Sequence, residues 1–142
     1  MLLEKTHTNS VTVYNSFTGD KIGTVPQSTK QDVLDALDLA KIGEVIGKKM
    51  PATERIAILK KAVTIMEREF NVLSSLIATE GIKTIVQARK EVTRAINTMQ
   101  LSSEEAGRII GETIPFNAVP GSEDRFGYET KFPIGIVVAI TP

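Results

Sequence analysis

The sequence predicts an α/β protein that is helical in the middle and β-rich at both ends. Three observations predict this class: a hairpin pattern near the start, helical spacing of apolar residues through the middle, and an apolar, β-branched run over residues 132–142. Such a run is typical of a strand buried on both faces of a parallel sheet. The 142 residues themselves are expected to form a helix-rich α+β unit.

The first element predicted is a β-hairpin. Residues 11–15 and 21–26 alternate apolar and polar side chains, and the cluster S-F-T-G-D separates them. Gly19 in that cluster can adopt the positive φ that tight hairpin turns require.

A helix is expected to follow the hairpin. Ser28 and Thr29 offer a hydroxyl cap, with Gln31 or Asp32 three residues on, as at the start of many helices. Apolar residues then recur at helical spacing: Val33, Leu34, Leu37, Ala40 and Ile42. Gly43 and Gly47 are expected to weaken the end of this helix.

Two more long helices are predicted in the middle of the chain. The second begins near Pro51, and Asn71 is expected to interrupt it and to cap a short continuation over residues 72–79. Its inward face is predicted from i+3 and i+4 spacing: Ile56, Leu59, Val63 and Met66. The third runs from about residue 85 to 106, and its expected inner stripe is Val86, Val92, Ile96 and Met99.

The remaining chain is predicted to be a loop followed by two β segments. Residues 115–122 have loop composition, and residues 126–132 alternate aromatic and polar side chains, which predicts a half-exposed strand. Pro133 separates that strand from the apolar run.

Composition excludes several kinds of function. The 17 basic and 17 acidic side chains cancel, and no aromatic residues are interleaved with the basic ones, so nucleic-acid binding is not expected. One histidine and no cysteine provide neither a metal site nor a thiol nucleophile. No secretory signal and no membrane-spanning run is recognised, which predicts a soluble, cytoplasmic protein without membrane contact. No glycine-rich phosphate loop or serine-nucleophile motif occurs, so no catalytic residue is assigned.

Several blocks of the sequence resemble the aldehyde dehydrogenase superfamily. Residues 14–26, Y-N-S-F-T-G-D-K-I-G-T-V-P, resemble its opening N-P-x-T-G-E-x-I-x-x-V-P, and residues 51–59 resemble its P-x-x-x-R-x-x-x-L segment. Residues 80–92, E-G-I-K-T-I-V-Q-A-R-K-E-V, are similar to its E-x-G-K-P-x-x-x-A-x-x-E-V block, with Thr84 in place of the proline. The E-G-I-K wording favours the lactaldehyde-like and semialdehyde-like branches.

Two further blocks complete the resemblance. Residues 111–115, G-E-T-I-P, fit the segment that closes the family's next helix. Residues 132–142, F-P-I-G-I-V-V-A-I-T-P, are similar to its E-P-x-G-V-V-x-x-I-x-P strand, with Phe132 replacing the glutamate. Because the blocks occur in family order over nearly the whole chain, the sequence is identified by resemblance as a member of this superfamily.

The resemblance implies a fold and a domain division. The fold is the N-terminal part of an aldehyde dehydrogenase: a β-hairpin, three long helices, a bridging β-arm and the first strand of the Rossmann-like cofactor domain. The hairpin and helices occupy residues 1–112, the oligomerisation arm residues 113–132, and the truncated first strand residues 133–142. The arm implies a homo-oligomer.

The resemblance also implies an activity that belongs to a longer parent protein. In that parent an aldehyde is oxidised to a carboxylic acid with NAD or NADP, through a cysteine thiohemiacetal. The 142 residues contain no cysteine and are expected to be inactive alone. The particular aldehyde, the choice of cofactor and a hydrolytic or acylating outcome are left open.

Two groups of residues in this sequence are implied to lie near ligands. Ile140, Thr141 and Pro142, at the end of the expected cofactor-domain strand, are predicted to approach the dinucleotide. Asn97, Leu101 and Ser102, late in the third helix, are predicted near the substrate tunnel.

An alternative of a different class is a free-standing helical interaction or assembly module without catalysis. A module that works alone is not expected to expose an apolar, β-branched run such as residues 136–140, because such a run is prone to aggregate. The enzyme-fragment hypothesis is therefore favoured.

Overall fold

The computed structural model describes residues 9–141 of the chain. Its elements follow one another as strand, strand, four helices, a short strand, a short 3₁₀ turn at Phe116–Ala118 and a last short strand. The strands are β1 Ser10–Tyr14, β2 Lys21–Pro26, β3 Thr113–Ile114 and β4 Gly127–Tyr128. The helices are α1 Lys30–Lys49, α2 Ala52–Arg68, α3 Phe70–Glu80 and α4 Ile85–Glu105.

Strands β1 and β2 form the predicted hairpin. They pair antiparallel from Ser10 opposite Pro26 to Tyr14 opposite Lys21, with an irregular register after Val13. Gly19 adopts a φ of +79°, as its place in the turn requires. The Ser16 hydroxyl donates a hydrogen bond of 2.7 Å to the carbonyl of Glu80, which ties the turn to the end of α3.

Helix α1 begins as predicted and extends further than predicted. Thr29 is the N-cap of a capping box with Asp32. The Thr29 hydroxyl accepts a hydrogen bond from the Asp32 backbone N–H, and the Asp32 carboxylate accepts one from the Thr29 backbone N–H. The helix continues through Gly43 and Gly47 to Lys49. Two glycines cost a helix only about 1 kcal/mol each, which the cap and the two lysines in the last turn help to offset.

Helices α2, α3 and α4 pack together and are here called the three-helix layer. The predicted inward residues of α2 are all partly buried in it: Ile56, Leu59, Val63 and Met66. The predicted interruption lies at Glu69 rather than at Asn71, and α3 begins at Phe70 without a side-chain cap. Asn71 is exposed on the first turn of α3, so its side chain does not mark the boundary.

Helix α4 supplies most of the core. Val92 and Ile96 are buried as predicted, and Met99 is partly buried. Val86 is 59% exposed, so its place in the predicted stripe is wrong. Ala88 takes that place and is fully buried, because a small side chain lets the neighbouring helices approach closely. Buried Ser74 and Ser103 donate hydrogen bonds to carbonyls of their own helices, which satisfies their hydroxyls.

The arm, residues 113–132, contains less β-strand than predicted. Only Gly127 and Tyr128 form a strand, and they pair with β3 of the same chain, so the expected strand over residues 126–132 is wrong in length. Glycines permit this pairing. A Cβ at Gly111 would overlap the carbonyl of Glu129, and one at Gly127 would overlap the ring of Phe116.

Residues 132–141 form no strand within this chain, so the first strand of a parallel sheet stays a prediction about the longer parent protein. A parallel strand needs backbone partners on a neighbouring strand, and no described segment pairs with this one. Pro133, Gly135 and Ile136 instead lie beside Ala40 and Glu44 of α1. Ile134 is 90% exposed.

Candidate functional site

Helix α4 carries a second face, opposite the stripe that it buries. At about 100° per residue, this face lies on the side away from Ala88, Val92 and Ile96. Exposed residues on the first five turns of this face include Val86, Lys90, Arg94, Asn97 and Leu101. The face therefore joins two cations and an amide to two apolar side chains.

A shallow open cavity of about 440 Å³ lies along this face. Its lining residues all come from α4: Val86, Arg89, Lys90, Thr93, Arg94 and Asn97. Three of the six are cations within two helical turns, because residues three and four positions apart are neighbours on a helix surface. The sequence analysis did not single out these cations. Their signal is R-K at 89–90 with R at 94, in a stretch, residues 85–97, whose one acidic residue is Glu91.

The single carboxylate near these cations is already engaged. Lys83 donates a hydrogen bond to Glu91 and forms an ion pair with it. This hydrogen bond lowers the pKa of Glu91 below its usual value, and the charges of Lys83 and Arg94 act in the same direction. Among residues 9–141, the side chains of Arg89, Lys90 and Arg94 make no hydrogen bond or ion pair.

The three residues predicted near a substrate tunnel are only partly brought together. Asn97 lines the cavity, and Leu101, 61% exposed, lies one turn further along the same face. Ser102 points about 100° away from Leu101 and donates a hydrogen bond of 2.8 Å to the carbonyl of Thr98. A role near the tunnel stays a prediction for all three.

The residues predicted to approach a dinucleotide lie at the end of the described chain. Ile140 is 94% exposed and Thr141 is also exposed. Pro142 lies outside the described residues. Exposed side chains on a segment without strand partners do not enclose a cofactor, so these residues do not form a nicotinamide site by themselves. No reaction step is assigned to them.

Residues 9–141 offer little other chemistry. No group of three metal-ligating side chains is found there, and no described helix is long and apolar enough to cross a membrane. The chain has no cysteine, so its residues cannot supply a thiolate nucleophile. The cationic face of α4 is therefore taken as the candidate site.

Solved dehydrogenases superpose on most of this chain. The crystal structure of aldehyde dehydrogenase 21 from Physcomitrella patens, in complex with its reaction product succinate, superposes with a TM-score of 0.78. The two proteins are 36% identical, over 84% of this chain and 25% of that one. An NADP-dependent glyceraldehyde-3-phosphate dehydrogenase from Bacillus halodurans, complexed with NADP, gives a TM-score of 0.75 at 26% identity, over 81% and 24% of the chains.

The fold is thus that of the matching segment of solved aldehyde dehydrogenases. The sequence model described as the aldehyde dehydrogenase family matches residues 3–142. The chain belongs to the aldehyde dehydrogenase family, as its motifs predicted.

Three curated relatives match over nearly the whole chain. An aldehyde-dehydrogenase-like protein of Sinorhizobium fredii is 41% identical over 93% of this chain and 26% of its own length. Aspartate-semialdehyde dehydrogenase 1 of Pseudomonas canavaninivorans is 40% identical over 93% and 28%. The 3-sulfolactaldehyde dehydrogenase of Priestia aryabhattai is 36% identical over 97% and 28%. The chain therefore spans about a quarter of the length of these relatives.

Proposed function

We propose that these 142 residues are the amino-terminal part of an enzyme that oxidises an aldehyde to a carboxylic acid with NAD or NADP. The observation that carries the proposal is the family match over residues 3–142. The solved relative from Bacillus halodurans is NADP-dependent and holds NADP, which supports a nicotinamide cofactor.

The substrate proposed is a short aldehyde that carries an anionic group. Two of the relatives act, by name, on aspartate semialdehyde and 3-sulfolactaldehyde, and the solved Physcomitrella enzyme holds succinate as its product. Each of these molecules bears a carboxylate or sulfonate at the end of a short carbon chain. The E-G-I-K sequence of residues 80–83 favours the lactaldehyde-like and semialdehyde-like branches, and the semialdehydes named here carry an anionic group.

In the proposed reaction, the aldehyde and water are converted to a carboxylate and two protons, and the dinucleotide accepts the hydride. The covalent step proceeds, in this proposal, through a thiohemiacetal on a cysteine outside these residues, because the chain contains none. An oxyanion formed at that step requires fixed hydrogen-bond donors, which are also assigned elsewhere in the protein.

In this proposal the chain supports the cofactor-binding domain, contacts the dinucleotide and pairs with a neighbouring subunit. The helices from about residue 29 to 107 flank the cofactor-binding domain. Residues 133–142 supply a strand of its sheet, with Ile140, Thr141 and Pro142 near the dinucleotide. The arm, residues 113–132, pairs with a neighbouring subunit of a homo-oligomer. Exposed Phe126 and Tyr128 on that arm support the pairing, because exposed aromatic residues are typical of interfaces.

The test compares the complete product of the gene that encodes these residues with a chain limited to residues 1–142. We expect the complete product to form NAD(P)H from a semialdehyde, measured by absorbance, and the short chain to form none. Failure of the complete product with every aldehyde and both cofactors would contradict the proposed reaction. Turnover by the short chain would contradict the placement of the chemistry elsewhere.

A further inference from the structure

We propose that Arg55 is a positioning residue, which holds the carboxyl end of α1 beside residues 131–135, and that a carboxylate at position 132 would complete its contacts. Phe132 stands at that position in this chain. The inference rests on the proposed function for its kinetic test, because residues 133–142 are proposed to lead to the dinucleotide.

The Arg55 side chain belongs to α2 but lies at the end of α1. Its Nη2 atom donates a hydrogen bond of 3.4 Å to the carbonyl of Gly47, in the last turn of α1, and another of 3.4 Å to the carbonyl of Met50, the C-cap. The last carbonyl groups of a helix lack the usual amide partner four residues on, and they carry partial negative charge. Arg55 therefore closes α1 from the start of the next helix.

The same guanidinium borders an open cavity of about 410 Å³. Arg55 and Gly47 lie on the helix side of this cavity, residues 131–135 also line it, and Ile109 completes it. The cavity thus brings the end of α1, the start of α2 and the end of the arm to one place. Residues 131–135 belong to no helix or strand, so no backbone ladder holds them there.

Arg55 is partly buried and forms no ion pair with a carboxylate among residues 9–141. The second cation of the cavity, Lys131, is paired with Glu129 at 2.6 Å, and Glu44 of α1 is paired with Lys48. A guanidinium has five N–H donors, and in Arg55 only Nη2 has acceptors among these residues. The remaining donors suit a carboxylate, which an arginine can hold with two parallel hydrogen bonds.

Phe132 lines the cavity without filling it. Its side chain is 81% exposed, so its replacement removes little buried apolar surface. Residues 132–142 are similar to a family strand that has glutamate where Phe132 stands. A glutamate at position 132 would bring a carboxylate to the cavity that Arg55 borders. We therefore expect the two positions to be coupled energetically.

A double-mutant cycle on the complete gene product tests this coupling. Phe132→Glu should raise the midpoint of thermal denaturation by about 2–4 °C, because a hydrogen bond between charged groups forms. In the Arg55→Gln background the same substitution should give no rise. Phe126→Glu is the matched control, because Phe126 is also 81% exposed but does not line the cavity. It should raise the midpoint in neither background.

Enzyme kinetics test the positioning role. Arg55→Gln should raise the KM for the dinucleotide by about 3- to 10-fold and leave the KM for the aldehyde unchanged, because residues 133–142 are then held less firmly. Arg55→Lys should restore part of the loss, since it keeps the charge but not the paired donors. Arg68→Gln removes an exposed arginine from the other end of α2, where it pairs with Glu69, and should change neither KM.

The outcomes separate this inference from the proposed function. An equal rise of the midpoint in both backgrounds, or a KM for the dinucleotide that Arg55→Gln does not raise above that for the aldehyde, would overturn the inference and leave the dehydrogenase intact. If Arg55→Gln does not fold, Phe132→Gln decides, because glutamine has the shape of glutamate without its charge, and a rise as large as that of Phe132→Glu would overturn the ion pair. A wild-type protein that oxidises no aldehyde would contradict the proposed function, and the thermal cycle would still test the coupling.

Discussion

The three-helix layer buries a core of apolar side chains, whereas the segments that flank it leave theirs exposed. Within the layer, Val92 and Ile96 of α4 are buried against α2 and α3. In α1, Ile42 and Ile46 are exposed, and so is most of the apolar run over residues 134–140. The layer thus buries its own core, whereas the flanking segments present surfaces of the kind that cover, or are covered by, other protein.

The first test of this contrast truncates one isoleucine to alanine in each region. Ile96→Ala should lower the free energy of unfolding by about 2–4 kcal/mol, because it leaves a cavity between packed helices. Ile134→Ala should change it by less than about 0.5 kcal/mol, because that side chain is 90% exposed. Urea denaturation followed by circular dichroism measures both. Equal losses in the two variants would mean that Ile134 is packed as tightly as Ile96, which would contradict the contrast between the two regions.

A second comparison uses the two capping boxes, which have the same hydrogen bonds in different surroundings. Thr29 caps α1 and Thr84 caps α4. Thr84→Ala should lower the free energy of unfolding by about 1 kcal/mol, since α4 is central to the layer. Thr29→Ala should cost the whole protein less, because α1 packs only weakly on the other described helices and strands.

Hydrogen exchange of the backbone amides distinguishes these outcomes. In Thr29→Ala the amides of α1 should exchange faster while those of α4 keep their protection. Faster exchange throughout α4 in that variant would show that α1 and the layer form one cooperative unit, which would contradict the division into two regions.

Local signals in the sequence predicted the elements that depend on local physics. The turn glycine Gly19, the cap at Thr29 and the inward face of α2 were all read correctly, because each follows from nearby residues. Residues 133–141 form no strand in this chain, because a strand depends on partners remote in sequence, and the described residues offer none. The inner stripe of α4 was misjudged at Val86 because helical spacing alone does not say that Ala88, a small residue, lies at a close helix contact.

The candidate site was less predictable than the fold. Resemblance selected Asn97, Leu101 and Ser102, and the helix places the first two on one face and the third on another. Lys90 and Arg94 went unnoticed because isolated basic residues on a helix usually belong to a solvated surface. Only the structure shows that Glu91, the acidic residue between them, is paired with Lys83.

The last comparison lies inside the layer, at the connection from α3 to α4. Ile82 adopts a φ of +49°, a left-handed conformation that costs a β-branched residue about 1–2 kcal/mol. Its side chain is exposed, so little packing offsets that strain. Ile82→Gly should therefore raise the free energy of unfolding by about 0.5–1 kcal/mol, the strain released less the entropy that glycine loses on folding.

Ile82→Asn is the companion variant, because asparagine tolerates the left-handed region without the full entropy cost of glycine. We expect it to stabilise as well, and Ile85→Gly, on the first turn of α4, to destabilise. Thermal denaturation of the three variants measures the signs. Destabilisation by both substitutions at Ile82 would mean that its exposed side chain contributes more than its backbone strain costs, and the connection would then belong with the apolar surfaces of the flanking segments.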